Sequence, residues 1–193
     1  MDLTDSKKID WHIAEQPFEV VNGDAAFIDT DAEQIFIGIV DGAGHGPAAH
    51  EIAQFSQNFL ISDQDTELPI LMTRLHNALR GTRGGVAATG RIDVERLKFH
   101  YVAVGNLQVK IFGNKSHRAV TQPGVLGTAI RTPVEKEIQI TPGDVLILHT
   151  DGIGSHFDYP ELLEHDARTI AENLVSEFSL HNDDATCIVV KFQ

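Results

Sequence analysis

The sequence lacks most features of secreted and membrane-spanning proteins. Its single cysteine, Cys187, excludes a disulfide within the chain. That cysteine lies in the apolar run CIVV, which favours a small buried core residue over a reactive thiol. Apolar stretches such as Ile35–Val40 fall far short of the roughly 20 residues that a membrane helix needs. The amino terminus, MDLTDSKK, is acidic where a secretion signal is basic, so we expect a cytoplasmic protein without a membrane partner.

Positive charge is scarce relative to negative charge. The 15 lysines and arginines face 28 aspartates and glutamates, which gives a formal net charge of −13. Such a surface repels nucleic-acid backbones and anionic membranes, so neither is expected as a partner. The 193 residues, 42% of them hydrophobic, can fill one sizeable core, and no linker or repeat interrupts them. We therefore predict one domain over residues 1–193.

Hydrophobic patterns predict many strands and few helices. Phe18–Phe27 and Gln34–Val40 are typical of an antiparallel strand pair joined by an acidic turn over residues 29–33. Further strands are predicted at Val86–Ile92, Leu97–Val104, Leu107–Phe112, Val134–Ile140, Val145–Thr150 and Ala185–Phe192. Because helices do not alternate with these strands, we expect an α+β fold with an antiparallel core rather than a parallel sheet.

Three stretches have the apolar spacing of amphipathic helices. The first begins at Pro47, where a proline suits the first helical turn, and its apolar residues are Ala48, Ile52, Phe55, Phe59 and Leu60. The second covers Leu68–Leu79 and the third covers Asp166–Phe178. These apolar faces predict helices that pack outside the β core.

Aspartates fall at the ends of the predicted strands. They are Asp24, Asp41, Asp151, Asp183 and Asp184. Any one of them is typical of a turn, but the repeated placement indicates a cluster of carboxylates. Carboxylate oxygens suit Mg²⁺ and Mn²⁺, and two such ions can activate water for phosphoryl displacement. The pattern therefore favours a metal site with hydrolytic chemistry.

Several motifs in series carry a resemblance to a known family. They are Gly23–Asp24, DGAGHG at 41–46, TDGI at 150–153 and DDAT at 183–186. In order and spacing they resemble the motifs of metal-dependent type-2C protein serine/threonine phosphatases, in the bacterial sporulation and stress-response branch. The resemblance runs from about Val20 to Phe192 and implies an α-β-β-α sandwich, two antiparallel β-sheets flanked by helices.

The resemblance also implies a binuclear Mn²⁺ or Mg²⁺ centre at one edge of the sandwich. The expected metal site consists of Asp24, Asp41, Gly42, Asp151, Asp183 and Asp184. Asp41 would bridge both ions, and the carbonyl of Gly42 would ligate one of them. Asp24 would hold water at the metals, so Asp24 and Asp41 are the expected catalytic residues.

The chain departs from the eukaryotic members of this family at two points. Ala43 stands where those members have a histidine, and His45 comes two places later, which argues against a general-acid role for His45. No counterpart of their amino-terminal, phosphate-gripping arginine is evident. Arg83, in the run GTRGG, is open to two interpretations, a phosphate contact or a solvated loop residue.

With no sensor or receiver segment recognisable, the sequence resembles stand-alone phosphatases that reset stressosomes. Such enzymes remove phosphate from phosphoserine or phosphothreonine in sensor and scaffold subunits, and these are the expected partners. Two alternatives stay open: a phosphatase of anti-anti-sigma factors, and a catalytically inactive binding module of the same fold. Metal-dependent turnover discriminates the inactive module from both enzymes.

Overall fold

The computed structural model describes residues 9–30, 34–113, 117–154 and 163–193. Helices in these residues are α1 (Pro47–Ser62), α2 (Leu68–Ala78) and α3 (Ala167–Phe178). The strands before residue 113 are β1 (Ile9–Gln16), β2 (Asp24–Thr30), β3 (Gln34–Gly42), β4 (Gly85–Asp93), β5 (Lys98–Val104) and β6 (Gln108–Phe112). The later strands are β7 (His117–Arg118), β8 (Gly124–Val125), β9 (Ala129–Ile130), β10 (Lys136–Gln139), β11 (Val145–His149) and β12 (Ala185–Phe192).

The strands form two five-stranded antiparallel sheets and a short hairpin. Sheet I has the strand order β1-β12-β11-β6-β7, and sheet II has the order β10-β5-β4-β3-β2. The hairpin consists of β8 and β9 alone. Strands from opposite ends of the chain pair in sheet I, since β1 lies alongside β12 with Ile9 opposite Phe192.

Side chains that alternate along each strand build three apolar layers. In β3, Ile37 and Ile39 face the core between the two sheets, where they join Leu146 and Ile188 from sheet I. The other face of β3 packs against α1 and α2, which explains why this strand is apolar on both faces. Helix α3 covers the outer face of sheet I, against Cys187 and its neighbours. The layers form the predicted α-β-β-α sandwich.

The amino-terminal strands differ from the prediction. Strand β2 begins at Asp24, and the stretch from Phe18 to Gly23 is a loop. The backbone N–H groups of Phe18 and Gly23 donate hydrogen bonds to the Asp184 carboxylate instead of to a neighbouring strand. Strand β1 was not predicted, and its side chains are mostly half-buried at the edge of sheet I. Residues 1–8 and 31–33, on which the secretion-signal and turn interpretations depend, lie outside the described residues.

The helices begin and end close to their predicted limits. In α1, Phe55 is 47% exposed, so the buried face includes Ser56 instead of this aromatic residue. The buried Ser56 hydroxyl donates a hydrogen bond to the Ile52 carbonyl oxygen over 2.7 Å, so its polar group is not left unpaired. Asp166 caps α3, since its Oδ1 accepts a hydrogen bond from Thr169 N at 2.7 Å. No helix in the described ranges has the length and apolar character needed to cross a membrane.

Candidate metal centre

The predicted aspartates meet at one end of the sandwich, where both sheets contribute. Asp24 and Asp41 lie directly opposite each other in the register of β2 and β3. Asp151 follows β11, while Asp183 stands shortly before β12, the strand that pairs with β11. Asp41, Asp151 and Asp183 line one open cleft of about 540 Å³. The ends of distant strands thus bring carboxylates together in an accessible hollow.

Asp24 is the buried member of this cluster. The Thr150 hydroxyl donates a hydrogen bond to Asp24 Oδ2 over 2.8 Å, and Thr150 N donates to the Thr186 carbonyl at 3.0 Å. Burial, followed by the negative charge of Asp41, raises the pKa of Asp24 to about 9. Without a cation, Asp24 therefore holds a proton at neutral pH.

The carboxylates closer to the cleft repel one another. Burial, followed by the negative charges of Asp151, Asp183 and Asp184, raises the pKa of Asp41 to about 7. The pKa of Asp151 is raised by burial and then by the charge of Asp183. The side-chain amide of Asn106 donates to Asp151 Oδ2 over 2.6 Å and fixes the orientation of that carboxylate.

The donor chemistry of this cluster fits a hydrated divalent cation. The ion pairs formed by lysines and arginines in the described residues go to carboxylates elsewhere in the molecule. In that same part of the chain, no three Asp, Glu, His or Cys side chains form a ready-made metal cage. Mg²⁺ does not require one, since it is commonly bound by one or two carboxylates and keeps several waters. A cation at this end would relieve the mutual repulsion of the aspartates.

The backbone around Gly42 is packed too closely for a side chain. Gly42 N donates a hydrogen bond to the Gly23 carbonyl oxygen over 3.0 Å, and Ala43 N donates to the Gly84 carbonyl oxygen over 2.9 Å. A Cβ at position 42 would clash with the carbonyl of Ala49 in α1. Glycine is therefore required for the acidic loop to reach the first turn of the helix. Metal ligation by the Gly42 carbonyl stays a prediction.

Asp184 differs from the other aspartates in what it contacts. Its Oδ1 accepts a hydrogen bond from Phe18 N at 2.8 Å, and its Oδ2 accepts one from Gly23 N at 2.9 Å. Both oxygens therefore anchor the β1–β2 loop, which leads directly into Asp24. These contacts give Asp184 a structural role, and a role as metal ligand stays a prediction.

His45 contacts the β1–β2 loop rather than the acidic cluster. Its Nδ1 lies 2.7 Å from Glu19 Oε1, and its ring meets the Phe18 ring edge-on with centroids 5.9 Å apart. The side chain is 58% exposed. In this arrangement His45 connects two surface loops.

Two residues that orient the carboxylates were missed by the sequence interpretation. Thr150 lies inside the TDGI motif, but its hydroxyl bonds to Asp24, 126 positions away in the chain. Asn106 follows Gly105, a pair that is typical of a turn. The Gly-Asn pair after a buried strand was the available signal, since a polar residue there lies at the end of the sheet that holds the aspartates.

Comparison with known proteins gives consistent matches. The family model described as Stage II sporulation protein E (SpoIIE) matches residues 31–193. The phosphoserine phosphatase RsbX of Bacillus subtilis (strain 168) is 22% identical over 174 residues, which cover 86% of this chain and 85% of RsbX. The crystal structure of RsbX in complex with magnesium has a TM-score of 0.83 at 21% identity, over 98% of this chain and 97% of that one.

A second solved structure is also similar. It is described as "The bacterial stressosome: a modular system that has been adapted to control secondary messenger signaling", and its chain is 28% identical with a TM-score of 0.89. The match covers 95% of this chain and 100% of that chain. The sandwich and its acidic end define the class as type-2C protein serine/threonine phosphatases. Within that class, the chain belongs to the SpoIIE family. The expected fold and family are confirmed.

Proposed function

We propose that this protein is a metal-dependent phosphatase acting on phosphoserine and phosphothreonine in stressosome sensor and scaffold proteins. The observation that carries the proposal is the cluster of Asp24, Asp41, Asp151 and Asp183 at the open end of the sandwich. Raised carboxylate pKa values beside an accessible cleft are typical of a site whose negative charge is balanced by bound cations.

The metal ligands in this proposal are carboxylates at strand ends. Asp41, Asp151 and Asp183 would hold Mg²⁺ or Mn²⁺, with the Gly42 carbonyl as a further oxygen ligand and two ions as the expected number. Bound ions supply activated water and neutralise charge that develops during phosphoryl displacement. Asp24, the expected partner of a water molecule in the site, would complete the centre behind Asp41.

Other residues of the site hold these aspartate side chains in place. Thr150 fixes one oxygen of Asp24, and Asn106 fixes one oxygen of Asp151. Asp24 and Asp41 lie on paired strands, and Asp151 and Asp183 directly follow or shortly precede the paired strands β11 and β12, so the sheets limit how far these carboxylates can move apart. Such preorganisation lowers the cost of orienting groups when the substrate binds.

The shape of the cleft and the relatives support a protein substrate. An open hollow at the end of a sandwich admits a phosphorylated side chain presented on the surface of a folded partner. RsbX is named a phosphoserine phosphatase, and the similar chain of higher identity comes from work on the bacterial stressosome. We propose the corresponding phosphorylated subunits as partners, met in the cytoplasm.

The test is phosphate release from a panel of phosphorylated proteins. The panel contains a stressosome sensor, a stressosome scaffold protein, an anti-anti-sigma factor and a phosphotyrosine peptide, each assayed with Mn²⁺, with Mg²⁺ and with excess chelator. The proposal expects the highest kcat/KM on the stressosome subunits and no turnover in chelator.

The other outcomes of the phosphate-release assay bear on the partner, the substrate class and the enzymatic function separately. Preference for the anti-anti-sigma factor would replace the proposed partner but keep the chemistry. Faster hydrolysis of the phosphotyrosine peptide would contradict the substrate class. Failure to hydrolyse any substrate, including p-nitrophenyl phosphate, in the presence of both metals would contradict the enzymatic function and favour an inactive binding module.

A further inference from the structure

The run GTRGG at 81–85 connects α2 to β4 and is tied to the acidic loop. The Thr82 hydroxyl donates to the Leu79 carbonyl over 2.7 Å and accepts a hydrogen bond from Gly84 N at 2.9 Å. The Gly84 carbonyl in turn accepts a hydrogen bond from Ala43 N at 2.9 Å. The turn before β4 is therefore closed on itself and bonded to the residue that follows the Asp41–Gly42 pair.

Close backbone packing further restricts this run. A Cβ on Gly85 would clash with the carbonyl oxygen of Asp41, and a Cβ on Gly84 would clash with the carbonyl oxygen of Leu126. Gly84 also has φ of +73°, in the left-handed region that favours glycine. These constraints fix the backbone that follows Arg83 against Leu126 and Asp41, and the Thr82 hydrogen bond to Leu79 holds the backbone that precedes it.

Arg83 is the residue of this run whose side chain has no assigned contact. In the described part of the chain its guanidinium makes no hydrogen bond or ion pair, whereas Arg74, Arg91 and Arg96 bond to carboxylates or carbonyls. Its Nη1 would lie 3.4 Å from a Cβ placed on Gly44. Gly44 lines the same cleft as Asp41, so a free cation borders the rim of the acidic hollow.

We propose that Arg83 binds a non-bridging oxygen of the substrate phosphate, an inference that rests on the proposed phosphatase function. A phosphate dianion entering a cleft lined by Asp41, Asp151 and Asp183 is repelled by whatever carboxylate charge the metals leave unbalanced. A guanidinium at the rim offsets that repulsion and offers paired N–H donors that match phosphate oxygens. The rigid turn presents this group without the entropy cost of ordering a mobile loop.

The experiment compares Arg83→Gln and Arg83→Lys with the control Arg80→Gln. Arg80 is also exposed, lies three residues earlier, and loses the same charge without bordering the cleft. Binding of inorganic phosphate to the Mg²⁺-loaded proteins is measured by calorimetry, and kcat and KM are measured with p-nitrophenyl phosphate and with a phosphoprotein. Thermal unfolding of each variant confirms that it is folded.

Arg83→Gln is expected to weaken phosphate binding about ten- to hundredfold, as for loss of a charge-assisted hydrogen bond. Arg83→Lys should keep part of the affinity through its charge, and Arg80→Gln should behave as wild type. Phosphate affinity of Arg83→Gln within twofold of the control would overturn the proposal. So would a loss confined to the phosphoprotein, which would assign Arg83 to the partner surface. Because phosphate binding is measured without turnover, an inactive wild type would contradict the proposed function alone.

Discussion

Replacing Asp24 by asparagine is expected to stabilise the metal-free protein. An aspartate in the unfolded chain has a pKa near 3.8, whereas burial and the charge of Asp41 raise the pKa of Asp24 to about 9. At about 1.4 kcal/mol per pKa unit, keeping Asp24 in the fold at pH 7 costs up to about 4 kcal/mol. Asparagine removes that cost, and its carbonyl can still accept the Thr150 hydroxyl.

The expected gain in the free energy of unfolding is smaller than about 4 kcal/mol, because the buried side-chain amide of asparagine has N–H donors that lack partners. We expect Asp24→Asn to raise the free energy of unfolding by about 2 kcal/mol in excess chelator, a rise in Tm of about 6 °C. The pH dependence has a defined sign. Between about pH 4 and pH 9 the wild type releases the Asp24 proton on unfolding, so its stability falls as pH rises, and the variant should show a shallower slope.

The assay is chemical and thermal unfolding of metal-stripped protein from pH 5 to about pH 8.5. Glu177→Gln is the control for a carboxylate-to-amide change away from the cluster, since it removes one negative charge from an exposed position on α3 in the folded and the unfolded chain alike. With saturating Mg²⁺ the order should reverse, because the wild type gains binding free energy that the variant loses. An Asp24→Asn variant that is no more stable than the control in chelator would refute the account of the acidic cluster.

Three further predictions concern Asp184, Cys187 and the net charge of the protein. Asp184→Asn should destabilise the metal-free fold by about 1–3 kcal/mol in urea unfolding, because an amide leaves Phe18 N or Gly23 N without an acceptor; a gain like that of Asp24→Asn would contradict this. Cys187, whose pKa is raised to about 12 by burial, should react with thiol reagents only after unfolding, and rapid labelling of native protein would disprove its burial. A phosphoprotein partner with a basic surface near its phosphosite is attracted to a protein of net charge −13, so added salt should slow its hydrolysis more than that of p-nitrophenyl phosphate, and a flat phosphoprotein rate would exclude charge steering.

Much of the fold could be predicted because strong apolar periodicity coincides with buried elements. The apolar face of α2, including Leu71 and Leu75, is buried as the helical spacing indicates. Strand β3 and its neighbours likewise follow the buried runs of the sequence. Strand β1 escaped prediction although Ile9, Trp11 and Ile13 alternate with polar residues, because this run is short and its partner β12 is far away in the chain.

The candidate site was predictable as a set of residues but not as a set of contacts. Strand ends and motif order identified the aspartates that the fold brings together. Nothing local indicates that Asp184 bonds to Phe18 across 166 positions of the sequence. The contact that holds Asp24, from the Thr150 hydroxyl, is equally remote in the chain. The Thr150–Asp24 contact depends on how the two sheets stack, and the Asp184–Phe18 contact depends on the pairing of β1 with β12; short-range patterns encode neither.

Phosphate release by metal-stripped protein, measured as Mn²⁺ or Mg²⁺ is added back, tests whether the aspartate cluster is a catalytic metal centre. We expect no hydrolysis of p-nitrophenyl phosphate in chelator, a saturable recovery with metal, and loss of nearly all turnover in a folded Asp41→Asn variant. That variant removes charge from the residue expected to contact both ions. Full activity without metal, or a wild-type rate in Asp41→Asn, would contradict the assignment of this cluster as the metal centre.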